Sequence, residues 1–299
     1  MIEVDGRRAI ELVIDNLREI ADPEFFVCLV RSNDLRRDRE YADGLQASIE
    51  RATGGRCRIV PVENPTDGAA ATALLAREWI DPDDELWIAN VDQLVRVAHE
   101  DIREAIGSRA GDHARADGLL LCFHDDDPRW SYTGIDERGQ VVEVAEKRVL
   151  SHFANCGIYY VRRAQDFWRA TERMMAAHRT AHGVFYIAPV FQELVDELQE
   201  RERSRSDDRS ARTLVLARTR RTHADVARHR LDLPRSCTEP RRDRGLSRTR
   251  SRRLESRRRR RDLQRSCRCV ARETGARDSR RLRALAFLIA AELRCRFAP

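Results

Sequence analysis

Lys147 is the only lysine in a chain of 299 residues that holds 55 arginines, and it comes directly after Glu146. An ammonium group is a compact point charge that fits between phosphate oxygens, whereas a guanidinium group is a wide planar fork. The retained lysine therefore predicts a narrow anion site that accepts the first group and rejects the second. The alternative interpretation is a surface ion pair in a chain that happens to keep one lysine codon.

Asp92 closes the apolar run ELWIANVD, residues 85–92. A carboxylate at the end of a buried strand is oriented by the sheet and points into the crevice at its edge. Mg²⁺ takes such a hard oxygen ligand and fills its other positions with water and substrate phosphates. The pattern therefore predicts that Asp92 binds Mg²⁺, and the alternative is an aspartate that caps the next turn.

Gly68 precedes the alanine-rich segment AAATALLA in PTDGAAATALLA. A glycine at a helix start lets a ligand approach the backbone, and the N-terminus of the helix favours anions. Gly68 is therefore a candidate binding residue, with an ordinary turn from a loop into a helix as the alternative.

A third acidic candidate is the loop HDDDP, residues 124–128. Its acids, Asp125–Asp127, look like the D-x-D metal motif of glycosyltransferases. Three acids before a proline are also typical of a solvated loop. A glycosyltransferase that uses nucleotide sugars is thus an alternative function.

Apolar runs of strand length alternate with segments of helical spacing through the first 195 residues, and short connections join them. The predicted strands of this part are 25–31, 57–63, 85–92 and 116–124. The predicted helices between and before them are 9–20, 34–52, 66–80 and 98–109. This alternation predicts an α/β fold with a doubly wound, mostly parallel, Rossmann-like sheet, whose ligands bind at the carboxyl ends of the strands.

The charge of the chain changes sign near residue 199. Residues 1–199 hold 24 basic and 37 acidic side chains, whereas residues 200–299 hold 32 arginines and 13 acids. We predict an α/β domain at 1–198 and a low-complexity, disordered basic tail at 199–299, in which 281–297 forms an isolated helix. The tail can bind nucleic acid through phosphate neutralisation, but its composition is also that of a GC-rich gene read out of frame, which is the favoured interpretation.

Four cysteines lie in apolar runs of the first 199 residues, as reduced core thiols do, and no signal peptide opens the chain. The longest apolar stretch of the tail, residues 284–293, is too short to span a bilayer. These features predict a cytoplasmic protein without a membrane partner. The oligomeric state cannot be deduced from the sequence.

Taken together, four motifs resemble the sugar-phosphate nucleotidylyltransferases, in particular the branch for capsule or lipopolysaccharide biosynthesis. In chain order they are PTDGAAATALLA, LWIANVDQ, VAEK and ANCGIYYV. The segment FYIAPVFQELVDE is also typical of this branch. The resemblance covers roughly residues 1–197.

The resemblance implies that a sugar 1-phosphate or a similar phosphomonoester attacks the α-phosphorus of a nucleoside triphosphate and displaces pyrophosphate. It implies that Asp92 binds Mg²⁺ at the triphosphate and that Gly68 borders the base. It assigns Lys147 to the attacking phosphate and Glu146 to the sugar, which Gly157 approaches. Asp92 and Lys147 are then the catalytic residues.

Three features depart from the family pattern. Family members begin with a strand, a G-x-G-x-R loop that cradles the triphosphate and a Lys-Pro, and the sequence MIEVDGRRAIELVIDNL resembles the family segment that begins after that Lys-Pro. The proline of the V-E-K-P motif is Arg148, and the arginine tail replaces the later part of the family. These departures predict a weak or inactive enzyme, with the edge of a strand exposed where the first strand is missing.

Overall fold

The computed structural model describes residues 3–4, 6–107, 116–137, 139–204, 214–218 and 283–289. Among these residues, no helix combines the length and the apolar composition that crossing a bilayer requires. The rest of the predicted basic tail lies outside the described residues.

Eleven strands occur in the described residues. In chain order they are β1 (Glu3–Val4), β2 (Arg7–Arg8), β3 (Phe25–Arg31), β4 (Cys57–Val62), β5 (Glu85–Asn90), β6 (Gly118–His124), β7 (Ser131–Ile135), β8 (Val141–Glu146), β9 (Phe153–Val161), β10 (Leu214–Arg218) and β11 (Arg283–Ile289). The first two form a small antiparallel ribbon. The others form one sheet, in the order β10-β6-β9-β5-β11-β3-β4, with the hairpin β7–β8 attached to β9.

Seven α-helices and one 3₁₀ helix connect the strands of the described residues. They are α1 (Ala9–Ala21), α2 (Ser32–Leu35), α3 (Arg39–Thr53), α4 (Ala69–Ala73), the 3₁₀ helix Leu74–Trp79, α5 (His99–Ile106), α6 (Ala164–Ala176) and α7 (Ala188–Ser204). Helix α1 shows why these segments are helical: its buried residues Val13, Ile14, Leu17 and Ile20 recur at helical spacing.

The strands of the large sheet are mostly parallel. Every neighbouring pair from β10 to β4 is parallel except the two pairs that β9 makes with β5 and β6. Helices cover both faces. Helices α1, α3 and α5 bury residues in one core, and α4, α6 and α7 bury residues in the other. The predicted doubly wound α/β fold is confirmed.

Among the boundaries that differ from the sequence prediction, two concern candidate site residues. The predicted helix 66–80 is a short α-helix that begins at Ala69 and continues as a 3₁₀ helix. Strand β5 ends at Asn90, so Asp92 is not the last residue of its strand but lies two positions beyond it, in the connecting loop.

The tail contributes two strands of the sheet. Strand β10 pairs with β6, and β11 lies between β3 and β5, parallel to both. The prediction of an isolated helix at 281–297 is therefore wrong for Arg283–Ile289, which are extended. The expectation of an exposed strand edge is also wrong for β3 and β5, since both are paired on both sides. A short apolar run such as residues 284–291 suits a buried parallel strand as well as a helix, and periodicity alone does not separate the two.

Candidate functional site

Gly157 lies in the middle of β9, where that strand passes the carboxyl end of β5. Its φ is +78°, and a Cβ atom on it would lie 2.5 Å from Asn90 Nδ2 and 3.0 Å from Gln93 Oε1. Any other residue at this position would therefore have a strained backbone, and its Cβ atom would overlap the side chains of Asn90 and Gln93. Because Asn90 and Gln93 flank Asp92 in the chain, this close approach holds the loop that carries Asp92 against β9. The side chain of Asp92 is exposed.

The oxygen of the Gln93 side chain is buried and accepts no hydrogen bond from the described residues. A buried acceptor that lacks a hydrogen bond lowers the stability of the fold, so a ligand that donates to this oxygen would recover that free energy. This oxygen lies beside Gly157, in the space that a Cβ on that residue would otherwise enter.

Glu146 and Lys147 form an ion pair at the end of β8. Lys147 Nζ lies 2.8 Å from Glu146 Oε1, and the Glu146 side chain is only 6% exposed. Burial raises the pKa of Glu146 above its ordinary value, although the positive charges of Lys147 and His182 oppose that rise. The structure thus places a buried carboxylate and a cation in direct contact.

Lys147 is held in a fixed position by several contacts. Its φ is +59°, a left-handed conformation that is uncommon for residues other than glycine. Its backbone N–H donates to the Trp130 carbonyl at 3.0 Å, and its ammonium donates to the Arg129 carbonyl. The ammonium also lies 5.4 Å from the centroid of the Tyr186 ring. The side chain keeps 34% of its surface exposed. The ammonium group of Lys147 is therefore held in position and remains partly accessible to solvent.

Ser131 links the ion pair at the end of β8 to β9, the strand that carries Gly157. Asn155 Nδ2 donates to Ser131 Oγ at 3.1 Å, and the Ser131 side chain also forms a hydrogen bond with Tyr159. Ser131 is the ladder partner of Glu146 in the hairpin. Burial and the negative charge of Glu146 together raise the pKa of Tyr159. Asn155 and Tyr159 are the alternate residues of β9 on either side of Gly157, and alternate residues of a strand share a face. Ser131 and Glu146 therefore lie on the face of β9 to which Gly157 belongs.

Gly68 joins the same region through the loop before α7. Its φ is +138°, and a Cβ on it would lie 2.7 Å from the Phe185 nitrogen. Phe185 N–H donates to the Asp67 carbonyl at 2.9 Å, and Ala70 N–H donates to the Phe185 carbonyl at 3.0 Å. Tyr186, the next residue, faces Lys147. Gly68 therefore allows its own loop to pack against the loop of Phe185 and Tyr186. Through Tyr186, this second loop contacts Lys147.

Through these contacts the structure brings the predicted residues to one region of the sheet. The loop of Asp92 lies against Gly157, Gly68 lies against the loop that contacts Lys147, and Ser131 links Glu146 to β9. The sequence reasoning missed the side chains that make these links, namely Asn90, Gln93, Ser131, Asn155 and Tyr186. Polar residues next to predicted site residues were the available signal, and Gln93 is the clearest case.

The acidic loop 124–128 folds as a turn. Asp125 Oδ1 accepts hydrogen bonds from the backbone N–H groups of Asp126 and Asp127, at 2.8 and 2.9 Å. Burial acts to raise the pKa of Asp125, but these backbone bonds hold it below its ordinary value. The Asp125 carboxylate thus forms hydrogen bonds within its own loop. The interpretation of these acids as a solvated loop describes the structure best.

No group of three His, Cys, Asp or Glu side chains in the described ranges could hold a metal ion by itself. Mg²⁺ does not require such a cage, since it is usually bound by one or two carboxylates, by water and by substrate phosphates. The exposed carboxylate of Asp92, next to Asn90 and Gln93, fits that kind of donor set.

No protein-family model matches this chain, and no curated protein matches it. Solved structures do resemble it. A nucleoside-diphosphate-sugar pyrophosphorylase from Vibrio cholerae RC9 matches with a TM-score of 0.55 and 19% identity, over 73% of this chain and 82% of that one. An inositol-1-phosphate CTP transferase from T. maritima matches with a TM-score of 0.50 and 14% identity, over 73% and 75%.

A UDP-glucose pyrophosphorylase complexed with UDP-glucose is also similar. Its TM-score is 0.51 at 10% identity, over 74% of this chain and 81% of that one. Identities this low establish the fold and leave the substrate open. The described part of the chain has the fold of the sugar-phosphate nucleotidyltransferases.

Proposed function

We propose that this protein transfers a nucleotidyl group from a nucleoside triphosphate to a sugar 1-phosphate or a similar phosphomonoester. The observation that carries the proposal is the ion pair of Lys147 with the buried Glu146 at 2.8 Å, at the end of β8 and linked through Ser131 to β9, the strand that carries Gly157. It is supported by a fold shared with enzymes named for this reaction.

In the proposed reaction, an oxygen of the phosphomonoester forms a bond to the α-phosphorus of the triphosphate. The bond from the α-phosphorus to the bridging oxygen of the β-phosphate breaks, and pyrophosphate leaves with the electron pair. The attacking phosphate is already an anion at neutral pH, so no side chain has to remove a proton from it. Positioning and charge stabilisation are what the protein supplies.

Lys147 is proposed to hold the attacking phosphate. An ammonium group has three N–H donors. In the described structure Glu146 and the Arg129 carbonyl take two of them, which leaves the third for a phosphate oxygen. An arginine at this position cannot make the same contacts, because its guanidinium is longer, flat and fixed in its donor directions.

Glu146 and Gln93 are proposed to bind sugar or ribose hydroxyls, since both present buried acceptor oxygens, Gln93 beside Gly157 and Glu146 beside Lys147. Gly68 is proposed to border the base. Asp92 is the residue that would bind Mg²⁺ together with phosphate oxygens, and the ion would neutralise the charge of the triphosphate. A role in capsule or lipopolysaccharide synthesis is a further proposal that rests on the resemblance of the four motifs.

Pyrophosphate release tests the proposal. The full chain is incubated with Mg²⁺, each of the common nucleoside triphosphates and a panel of sugar 1-phosphates. We expect pyrophosphate that depends on both substrates. Release without the acceptor would indicate simple hydrolysis, and no release with any pair would contradict the proposal.

A further inference from the structure

An interior position of the large sheet is filled by a segment that is remote in sequence. Strand β11 pairs with β3 through Ala284↔Phe25 to Ile289↔Val30, and with β5 through Arg283↔Glu85 to Leu288↔Asn90. Its neighbours belong to the first 90 residues of the chain. Residues 219–282 connect β11 to β10, which lies at the far edge of the sheet.

Without β11 the sheet would fall into two parts. Strand β3 would pair with β4 only, and β5 would pair with β9 only. Adjacent strands lie about 4.8 Å apart, so removing one leaves its former neighbours about 10 Å apart, too far to pair directly. The backbone N–H and C=O groups on the facing edges of β3 and β5 would lose their partners.

The side chains around this gap are completely buried. Val27, Cys28 and Leu29 of β3 are 0% exposed, and Ile88 and Ala89 of β5 are at most 1% exposed. Strands that are buried on both faces read as continuous apolar runs. Residues 284–291 form such a run, whereas residues 219–282 contain no apolar run longer than three residues.

The candidate site draws on both parts of the sheet. Gly68 comes after β4, whereas the loop of Asn90 and Gln93 comes after β5 and lies against β9. These two loops therefore follow strands that belong to the two parts of the sheet that β11 joins.

We propose that the gap between β3 and β5 is a strand-binding surface whose ligand is the segment Arg283–Ile289 of the same chain. This segment closes the sheet in a parallel register and so assembles the candidate site from its two parts. Backbone hydrogen bonds to both neighbours give the segment its affinity, as in other cases of strand addition, and its apolar sequence suits a position between two strands whose own side chains are buried.

Disulfide trapping in the full chain tests this proposal. Phe287 and Cys28 are ladder partners, so the substitution Phe287→Cys places a second thiol within disulfide range of Cys28. The four other cysteines of the tail, Cys237, Cys267, Cys269 and Cys295, are replaced by serine. Leu288→Cys in the same background is the matched control, because successive residues of a strand face opposite sides of the sheet.

After mild oxidation we expect a disulfide between Cys28 and position 287 within one chain, identified by mass spectrometry of the linked peptides and absent from the control. A disulfide found only between two chains would show that a second copy supplies the strand, and would overturn the proposal of a ligand from the same chain. Equal cross-linking in the Leu288→Cys control would contradict the register that pairs position 287 with Cys28. The absence of any cross-link in a folded Phe287→Cys variant would contradict it as well.

Hydrogen exchange on the unsubstituted chain covers the case in which the variants do not fold. The amides of residues 284–289 should exchange as slowly as those of β3 and β5. Rapid exchange of this segment beside a protected β3 would overturn the proposal. Neither readout depends on catalysis, so this proposal and the proposed function fail separately.

Discussion

Lys147 Nζ lies 2.8 Å from Glu146 Oε1 at the end of β8, in a chain that has no other lysine. The pair sits at the boundary between interior and solvent, with the carboxylate buried and the ammonium partly exposed. A positively charged group that is held on one side and open on the other is suited to contact an anionic ligand.

Lys147→Arg should lower kcat/KM for nucleotidyl transfer on the order of 100-fold, although the charge is retained, because the guanidinium cannot reproduce the ammonium's contacts. Steady-state pyrophosphate release measures the change. Arg148→Lys is the matched control: Arg148 is exposed and pairs with Glu143, so activity should hardly change. An active Lys147→Arg enzyme would remove the point-charge argument.

Gly157→Ala should destabilise the fold and weaken ligand binding. Gly157 and Gly139 both have a φ of +78°, but a Cβ on Gly139 meets no atom within 4 Å, whereas one on Gly157 overlaps Asn90. Gly139→Ala should cost about 1–2 kcal/mol from backbone strain alone. Gly157→Ala should cost about 1–3 kcal/mol more, because it overpacks the site. Urea unfolding measures both, and equal losses would show that the contact with Asn90 does not constrain this position.

Glu146→Gln should change the pH dependence of stability. Since the pKa of Glu146 is raised in the folded state, the native protein holds this proton to higher pH than the unfolded chain does. Stability due to this group is therefore present below its ordinary pKa of 4.5 and is lost as pH rises through the raised value. Relative to Glu146→Gln, the unsubstituted protein should lose stability as the pH rises from acid towards neutral in urea unfolding. A difference that stays constant with pH would contradict the shift.

Ala286→Pro should disrupt the sheet far more than Ala217→Pro does. Proline removes a ladder donor, and in the middle of a sheet the lost backbone hydrogen bond has no substitute, whereas an edge strand tolerates proline on its solvent side. Ala286 lies in β11, with a strand on each side, whereas Ala217 lies in the edge strand β10, which pairs with β6. Thermal unfolding compares the two variants. Similar melting temperatures would show that β11 does not close the sheet.

Much of the fold is dictated by local sequence patterns. The run FFVCLVR becomes β3 with the same limits, and helical spacing identifies α1, since both patterns report burial by neighbouring elements. The position of β11 is not determined in this way. An apolar run predicts burial but not its partners, and only the tertiary contacts decide between a strand at 283–289 and a helix.

The positions of the candidate residues along the chain were predictable in part. The sequence indicated that Asp92 lies at the end of one strand and that Glu146 and Lys147 lie at the end of another, and the structure has them at those ends, with Asp92 in the loop just beyond its strand. Their relative placement was not predictable, because β8 belongs to an antiparallel hairpin that attaches to β9 and not to the parallel part of the sheet. The roles of Ser131 and Tyr186 were not predictable, because each depends on a contact between segments that are distant in sequence. Gly157 was identified only through a resemblance, and its close approach to Asn90 gives the physical reason for a glycine there.

Hydrogen exchange of the full chain, with and without a nucleoside triphosphate, Mg²⁺ and a sugar 1-phosphate, tests the candidate site most directly. If one phosphorylated ligand contacts both the loop of Asp92 and the ion pair, residues 90–93 and 145–148 should become protected together, and Lys147→Ala should reduce both effects. Protection of one segment without the other, or full protection in the variant, would contradict a single shared site.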